Sequence, residues 1–201
     1  MHSHVLKASP LPYVKSAFSP YIREDNTFLE FDSVANFCRG LGIDIGCGTN
    51  RFSDTVMTVD SHPHIDADMV WDCLKAPYPF RDNSFDFVFA SHVIEDFAPD
   101  QIQGVFDEWL RVIKPGGYMV LLVPDIARHR YPGIEERWSE ADELVQKGER
   151  NIGDLKGNCS HRICMGLDVL HDLIKDRKVE VVQEDTLPQD QMTLDFVIRK
   201  L

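Results

Sequence analysis

The chain has no C-x-x-C pair, and its five cysteines, Cys38, Cys47, Cys73, Cys159 and Cys164, are odd in number. Both facts argue against a disulfide framework and for buried or incidental thiols. No apolar run approaches the roughly 18 residues of a membrane span, and residues 1–20 lack the apolar core of a secretory leader. Positive charge is also scarce. The 21 lysines and arginines face 33 acids, for a net charge of -12, and the basic residues gather into no stripe. That deficit disfavours nucleic-acid backbones and anionic membranes, and is no obstacle to a cationic ligand. Internal repeats, low-complexity tracts and dividing linkers are missing as well. The expectation is one soluble, cytoplasmic domain spanning residues 1–201. With 43% hydrophobic and 27% charged residues, the composition is that of a chain that buries a core.

Within that frame, strand-like and helix-like segments alternate. Residues 41–45, 55–59, 85–90 and 118–123 are short, apolar and β-rich, as strands buried on both faces are. Between the last two, Ile102, Val105, Phe106, Trp109 and Ile113 follow helical spacing, with Pro99 near the start and Gly116 and Gly117 past the end. Trp109 reads as a core residue. Near the C-terminus Leu167, Leu170 and Ile174 repeat at helical spacing, followed by VEVV (179–182) and MTLDFVIR (192–199). The alternation in the last run predicts an antiparallel strand with one more polar face. The fold class is therefore α/β, a Rossmann-like, mostly parallel sheet closed by a C-terminal antiparallel hairpin. Only about ten residues separate the second strand from Met69, so the crossover there is expected as a loop without a helix. The expected plan is an N-terminal segment and helix (1–39), a binding core (40–123), an inserted cap (124–166) and a C-terminal helix and hairpin (167–201). The cap has its own helical pattern in Ile134, Trp138, Ala141 and Val145.

The binding core opens with LGIDIGCGTN (41–50), a strand running into a glycine turn. At the carboxyl end of such a sheet, Gly46 and Gly48 let the backbone approach a ligand, and Asn50 suits a left-handed turn. Alone, this is equally a plain strand-to-helix turn. Asp60, ending the second strand, adds weight because a carboxylate there accepts the hydroxyls of a ribose. Glycine turn and acid together point to a nucleoside-containing cofactor.

With these motifs the chain resembles the class I S-adenosylmethionine-dependent methyltransferases of the type 11 group. Asp44, Gly46, Gly48 and Asn50 match the D/E-x-G-x-G-x-G/N motif, and Asp60 the second-strand acid. VWDCLKAPYPFRDNSFDFVFASHVIEDF (70–97) and EWLRVIKPGGYMVLLVPD (108–125) are similar to two longer family stretches. Seven strands with a reversed terminal hairpin are the fold that the resemblance implies. It also implies S-adenosylmethionine as cofactor, with the methionine part over Asp44, Gly46, Cys47, Gly48 and Asn50. The ribose falls on Asp60 beside Ser61, and the adenine against Asp72 and the Cys73 backbone. Ser91 and His92, leaving the fourth strand, fall near the transferable methyl. A carboxylate such as Asp72 suits the adenine amino group. Where many relatives have L-E-H, this chain has Ile94, Glu95 and Asp96, so no role of that histidine carries over.

Methyl transfer asks mainly for a nucleophile held in line with the methyl and for exclusion of water, and a base only where the acceptor must lose a proton. His92 and His161 are the candidate bases. The alternative for His92 is a hydrogen-bonded structural residue, and for His161 a solvated loop histidine. No metal site is expected. Cys159, His161 and Cys164 lack a fourth ligand, and HPHIDAD (62–68), which places His62, His64, Asp66 and Asp68 at alternating positions like a metallohydrolase motif, has Ala67 where the last histidine belongs. A nicotinamide enzyme is disfavoured because Arg51 replaces the third glycine of G-x-G-x-x-G. A metal-dependent hydrolase and a non-catalytic S-adenosylmethionine-binding protein are the competing readings. A-S-H-V (90–93) is unlike the N-P-P-Y of enzymes that methylate planar amino groups. A small-molecule acceptor, with a protein or glycan as second choice, is the expectation.

Overall fold

The structure is a computed structural model that describes residues 33–49, 53, 56–124, 162–163, 165–184 and 193–201. Its centre is a seven-stranded sheet in the order β3-β2-β1-β4-β5-β7-β6. β1 (Gly42–Ile45), β2 (Met57–Asp60), β3 (Met69–Val70), β4 (Phe85–Ser91) and β5 (Ile113–Pro124) are mutually parallel. β7 (Thr193–Lys200) runs antiparallel to both β5 and β6 (Val179–Glu184), the reversed closure expected from the sequence. Among the described residues two α-helices complete the framework. α1 (Pro99–Val112) crosses from β4 to β5, and α2 (Leu167–Ile174) precedes β6.

The strands are buried on both faces because two apolar clusters cover them. Val88, Ala90, Met119, Leu121, Phe196 and Ile198 point to the side that carries α1 and α2. Phe87, Phe89, Val120, Leu122 and Val197 point to the other, where Val34 and Val56 join them. The alternation follows from the period of two along a strand, and it makes each strand an almost continuous apolar run. α1 contributes Ile102, Val105, Phe106, Trp109 and Val112 to the first cluster. Pro99 opens the helix at the position where a missing N–H costs nothing, and the Gln101 side chain accepts the Ala98 N–H at 2.9 Å.

Three expectations change in detail. Ile113, which continues the helical stripe in sequence, is instead the first residue of β5. The K-P-G-G turn therefore lies inside that strand as an irregularity. The partner of Phe85 is Ile113 and that of Phe87 is Tyr118, so 114–117 bulge out opposite Asp86. Gly117 is required there, since a Cβ would stand 2.5 Å from the Asp86 carbonyl oxygen. The last strand has no polar face. Thr193 through Ile198 are all buried, because β7 is an interior strand between β5 and β6. Asp195 is accommodated by the Gln183 side chain, whose amide donates to its Oδ2 at 2.5 Å.

The crossover from β2 to β3 is a loop without a helix, as its length requires. Asp68 ties it down: its Oδ2 accepts both the N–H and the hydroxyl of Thr58 at 2.9 Å. Of the cap, only Pro124, Arg162, Ile163, Met165 and Gly166 are among the described residues, and its helix falls outside them. The N-terminal segment is described from Ser33 onward, with one 3-10 turn over Ala35–Phe37.

Candidate functional site

From β1 the chain steps outward to β2 and β3, then returns to the other side of β1 to form β4. The carboxyl ends of β1 and β4 thus meet where the winding reverses, the place at which open α/β sheets leave a crevice for ligands. The residues singled out from the sequence collect around it. Gly46, Cys47 and Gly48 leave β1, Asp60 and Ser61 end β2, Asp72 and Cys73 follow β3, and Ser91 and His92 end β4.

The glycine turn and the acid are one structure. Gly46 and Cys47 donate their N–H groups to the Val59 carbonyl at 2.8 and 3.3 Å, which keeps the turn folded back over β2. Gly48 N–H then donates to Asp60 Oδ2 at 3.0 Å, while Asp60 Oδ1 accepts the His62 N–H at 2.8 Å. The two glycines differ in what surrounds them. Both have positive φ, 70° at Gly46 and 53° at Gly48. A Cβ on Gly46 would run into Val93 at 2.3 Å, whereas one on Gly48 would meet nothing among the described residues within 4 Å. Gly46 serves internal packing, and Gly48 borders open space. Asp60 is 6% exposed. Each of its oxygens takes a backbone N–H, and a carboxylate has about four acceptor positions, so capacity remains for hydroxyl donors.

Asp72 sits in a tight turn, with Oδ1 accepting the Leu74 N–H at 2.9 Å and its carbonyl accepting the Lys75 N–H at 2.9 Å. Cys73 turns its thiol inward, where burial pushes the thiol up to about 11, so its backbone and not its sulfur is available to a ligand. At the end of β4, His92 also has a positive φ, 54°, and its N–H donates to the Leu122 carbonyl at 2.8 Å. Its Nδ1 lies 3.5 Å from Glu95 Oε1 and its Nε2 3.4 Å from the Thr193 hydroxyl. Glu95 is fully buried, and its carbonyl accepts the N–H groups of Arg162 and Ile163 at 2.7 and 3.2 Å, which fixes the chain returning from 125–161 onto this turn. Asp96 follows. Burial and the neighbouring Glu95 charge push its carboxyl up to about 7, against a smaller opposite effect of His92.

Asn50 and His161 lie outside the described residues, as do Cys159 and Cys164. The rival metal motif is put to other uses where it is described. His62 Nδ1 faces Asp60 Oδ1 at 3.2 Å, and Asp68 joins the loop to Thr58. Among the described residues no three His, Cys, Asp or Glu side chains gather as a metal-binding set. Sequence reasoning gave Val93, Glu95 and Thr193 no part in the site: Val93 and Glu95 lie in stretches that were compared with family motifs without being assigned a role, and Thr193 is brought beside His92 only by the fold.

Residues 43–121 match the family described as "Methyltransferase domain". Over that stretch the chain is similar to a methyltransferase domain. No curated protein matches the chain. Among solved structures, the PH0226 protein from Pyrococcus horikoshii is 19% identical with a TM-score of 0.59, over 86% of this chain and 88% of that one. A SAM-dependent methyltransferase from Methanosarcina mazei is 16% identical with a TM-score of 0.58, over 85% and 97%. A third, from Mesorhizobium loti, is 11% identical with a TM-score of 0.58, over 86% and 98%. At such identities these neighbours support the fold, and they agree with the seven-stranded order and its reversed β7. At the carboxyl ends of β1 and β2, Gly48 and Asp60 form one polar cradle joined by their hydrogen bond.

Proposed function

We propose that the chain transfers a methyl group from S-adenosylmethionine to a small-molecule acceptor bearing a hydroxyl or carboxyl group. The observation that carries this reading is the bond from Gly48 N–H to Asp60 Oδ2, which joins the open glycine turn and the acid of β2 into one binding element. In this reading residues 44–48 and Asn50 hold the methionine part, Asp60 with Ser61 the ribose, and Asp72 with the Cys73 backbone the adenine. Ser91 and His92 border the reacting methyl. S-adenosylmethionine, when bound, supplies a methyl group on a cationic sulfonium. The carboxylates of Asp44, Asp60 and Asp72 suit that charge.

The ring nitrogens of His92 face Glu95 and Thr193, which favours a part in holding the end of β4. A carboxylate acceptor needs no base, while a hydroxyl acceptor leaves His92 and His161 as candidates. The net charge of -12 and the absence of N-P-P-Y after β4 support a small molecule over nucleic acid. Among the described residues no helix is long and apolar enough to cross a membrane. The thiols of Cys38 and Cys73, which form no disulfide, suit a reducing cytoplasm. Native mass spectrometry of the purified protein tests the reading. It predicts a mass addition from S-adenosylmethionine or its demethylated product, present as purified or after incubation with either. A protein that takes up neither contradicts it.

A further inference from the structure

We propose that Tyr78 is a positioning residue for adenine recognition, holding the Cys73 backbone through its hydroxyl. The inference rests on the reading above that Asp72 and Cys73 meet the adenine. Tyr78 is 2% exposed, and its hydroxyl donates to the Cys73 carbonyl at 3.1 Å while accepting the Trp109 indole N–H at 3.0 Å. Its backbone N–H donates to Glu108 Oε1 at 2.5 Å. Two consecutive residues of α1 thus grip Tyr78 at both ends.

That grip is itself anchored. Arg111 forms a two-pronged pair with Glu108, at 2.6 and 2.9 Å, and bonds Asp82 Oδ1 at 2.6 Å and the Phe80 carbonyl at 3.0 Å. The helix therefore fixes the whole 78–82 turn, and Tyr78 passes that order on to the Cys73 carbonyl by a side-chain bond. The Trp71 ring meets Tyr78 edge-on at 6.4 Å, and Trp71 Nε1 donates to the Lys75 carbonyl at 3.1 Å, so the 71–75 turn is compact and has Tyr78 beneath it. Removing the hydroxyl leaves a buried carbonyl and a buried indole N–H short of a partner, and the cheapest relief is a shift of the Cys73 backbone. A shift there alters the angle at which Asp72 and Cys73 face a purine edge. It leaves the glycine turn and Asp60 alone.

Calorimetric titration of S-adenosylhomocysteine and S-inosylhomocysteine into wild type, Tyr78→Phe and Trp109→Phe tests this. The second ligand replaces the amino donor of adenine by a carbonyl, which a carboxylate at Asp72 rejects. Wild type should prefer the adenine form by about a hundredfold, the upper end of what one hydrogen bond to a charged acceptor in a partly exposed turn supplies. Tyr78→Phe should cut that preference about tenfold or more with inosyl affinity nearly unchanged, the cost of roughly one buried hydrogen bond. Trp109→Phe, the second variant should Tyr78→Phe fail to fold, should shift the preference the same way by a smaller factor. Wild-type protein that binds neither ligand defeats the cofactor reading itself, and wild-type protein without preference defeats the adenine assignment. If the wild type discriminates and a folded Tyr78→Phe does so equally well, or loses both ligands in parallel, the positioning role is overturned.

Discussion

From β1 outward to the β3 edge, the strands are four, four and two residues long. In the other direction β4, β5 and β7 run for seven, twelve and eight. The short half is held by side chains that reach across loops: Asp60 to Gly48 and His62, Asp68 to Thr58, Asp72 to Leu74. The long half is held by ladders, with seven residue pairs between β5 and β7, and by apolar side chains buried on both faces. The contrast is between a polar rim at the ends of β1, β2 and β3 and an apolar core in β4, β5 and β7. Carboxylates that organise backbone turns make a preorganised polar rim, and such a rim needs a rigid support beside it. Changes in the long half should therefore cost stability and spare the ligand, and changes in the rim should do the reverse.

The largest effect should come from Phe196→Ala, in the middle of β7. Deleting a fully buried ring costs about 3–5 kcal/mol of unfolding free energy, read by urea denaturation. Affinity for S-adenosylhomocysteine in the fraction that stays folded should be nearly unchanged. A parallel loss of affinity would break the division between the halves.

The glycine pair sharpens it. Gly46→Ala brings a Cβ onto Val93 at positive φ, so it should destabilise the fold as well as the turn. Gly48→Ala meets no atom of the described residues within 4 Å, so its stability cost should be about 1–2 kcal/mol, that of the left-handed conformation alone. Its main effect should be on cofactor affinity. Thermal melts with and without S-adenosylhomocysteine separate the two, and equal behaviour of the two variants would contradict the open cradle at Gly48.

Asp96 gives a smaller, pH-dependent effect. Its native carboxyl titrates at about 7, above the ordinary aspartate range, so the native state keeps a proton that the unfolded chain has released. Stability from this group is therefore present at low pH and declines as pH rises from about 4 to about 7. Asp96→Asn should match the wild type near pH 4 and melt higher than it near pH 8. A variant that gains stability at low pH instead would reverse the sign. The smallest effect should be that of a metal chelator: no change in melting temperature or in S-adenosylhomocysteine affinity. Loss of either on chelation would bring the metallohydrolase reading of His62, His64 and Asp66 forward.

Much of this was legible in the sequence, for reasons that can be named. The parallel strands announce themselves because burial on both faces leaves runs such as FDFVFA and YMVLLV without polar alternation. The nearness of Asp60 to the glycine turn was legible because an acid ending the second parallel strand lies beside the end of the first, within reach of its N–H groups. β7 was misread. Thr193 and Asp195 look like a solvent face until the strand is placed between two others and Gln183 is put beside Asp195. The beginning of β5 was hidden because Pro115, Gly116 and Gly117 read as a turn, and only pairing with β4 makes them a bulge. Tyr78 was invisible as a site residue, since its partners Trp109 and Glu108 come from a helix some thirty positions away.

The account stands most directly on Asp60. Titration calorimetry of S-adenosylhomocysteine into wild type and Asp60→Ala should show one site on the wild type. The variant should be weaker by about 2–4 kcal/mol, since a charged acceptor for the ribose and the anchor of the Gly48 turn are removed together. A folded Asp60→Ala that binds as tightly as the wild type would contradict the claim that the β1 turn and the end of β2 form the cofactor site.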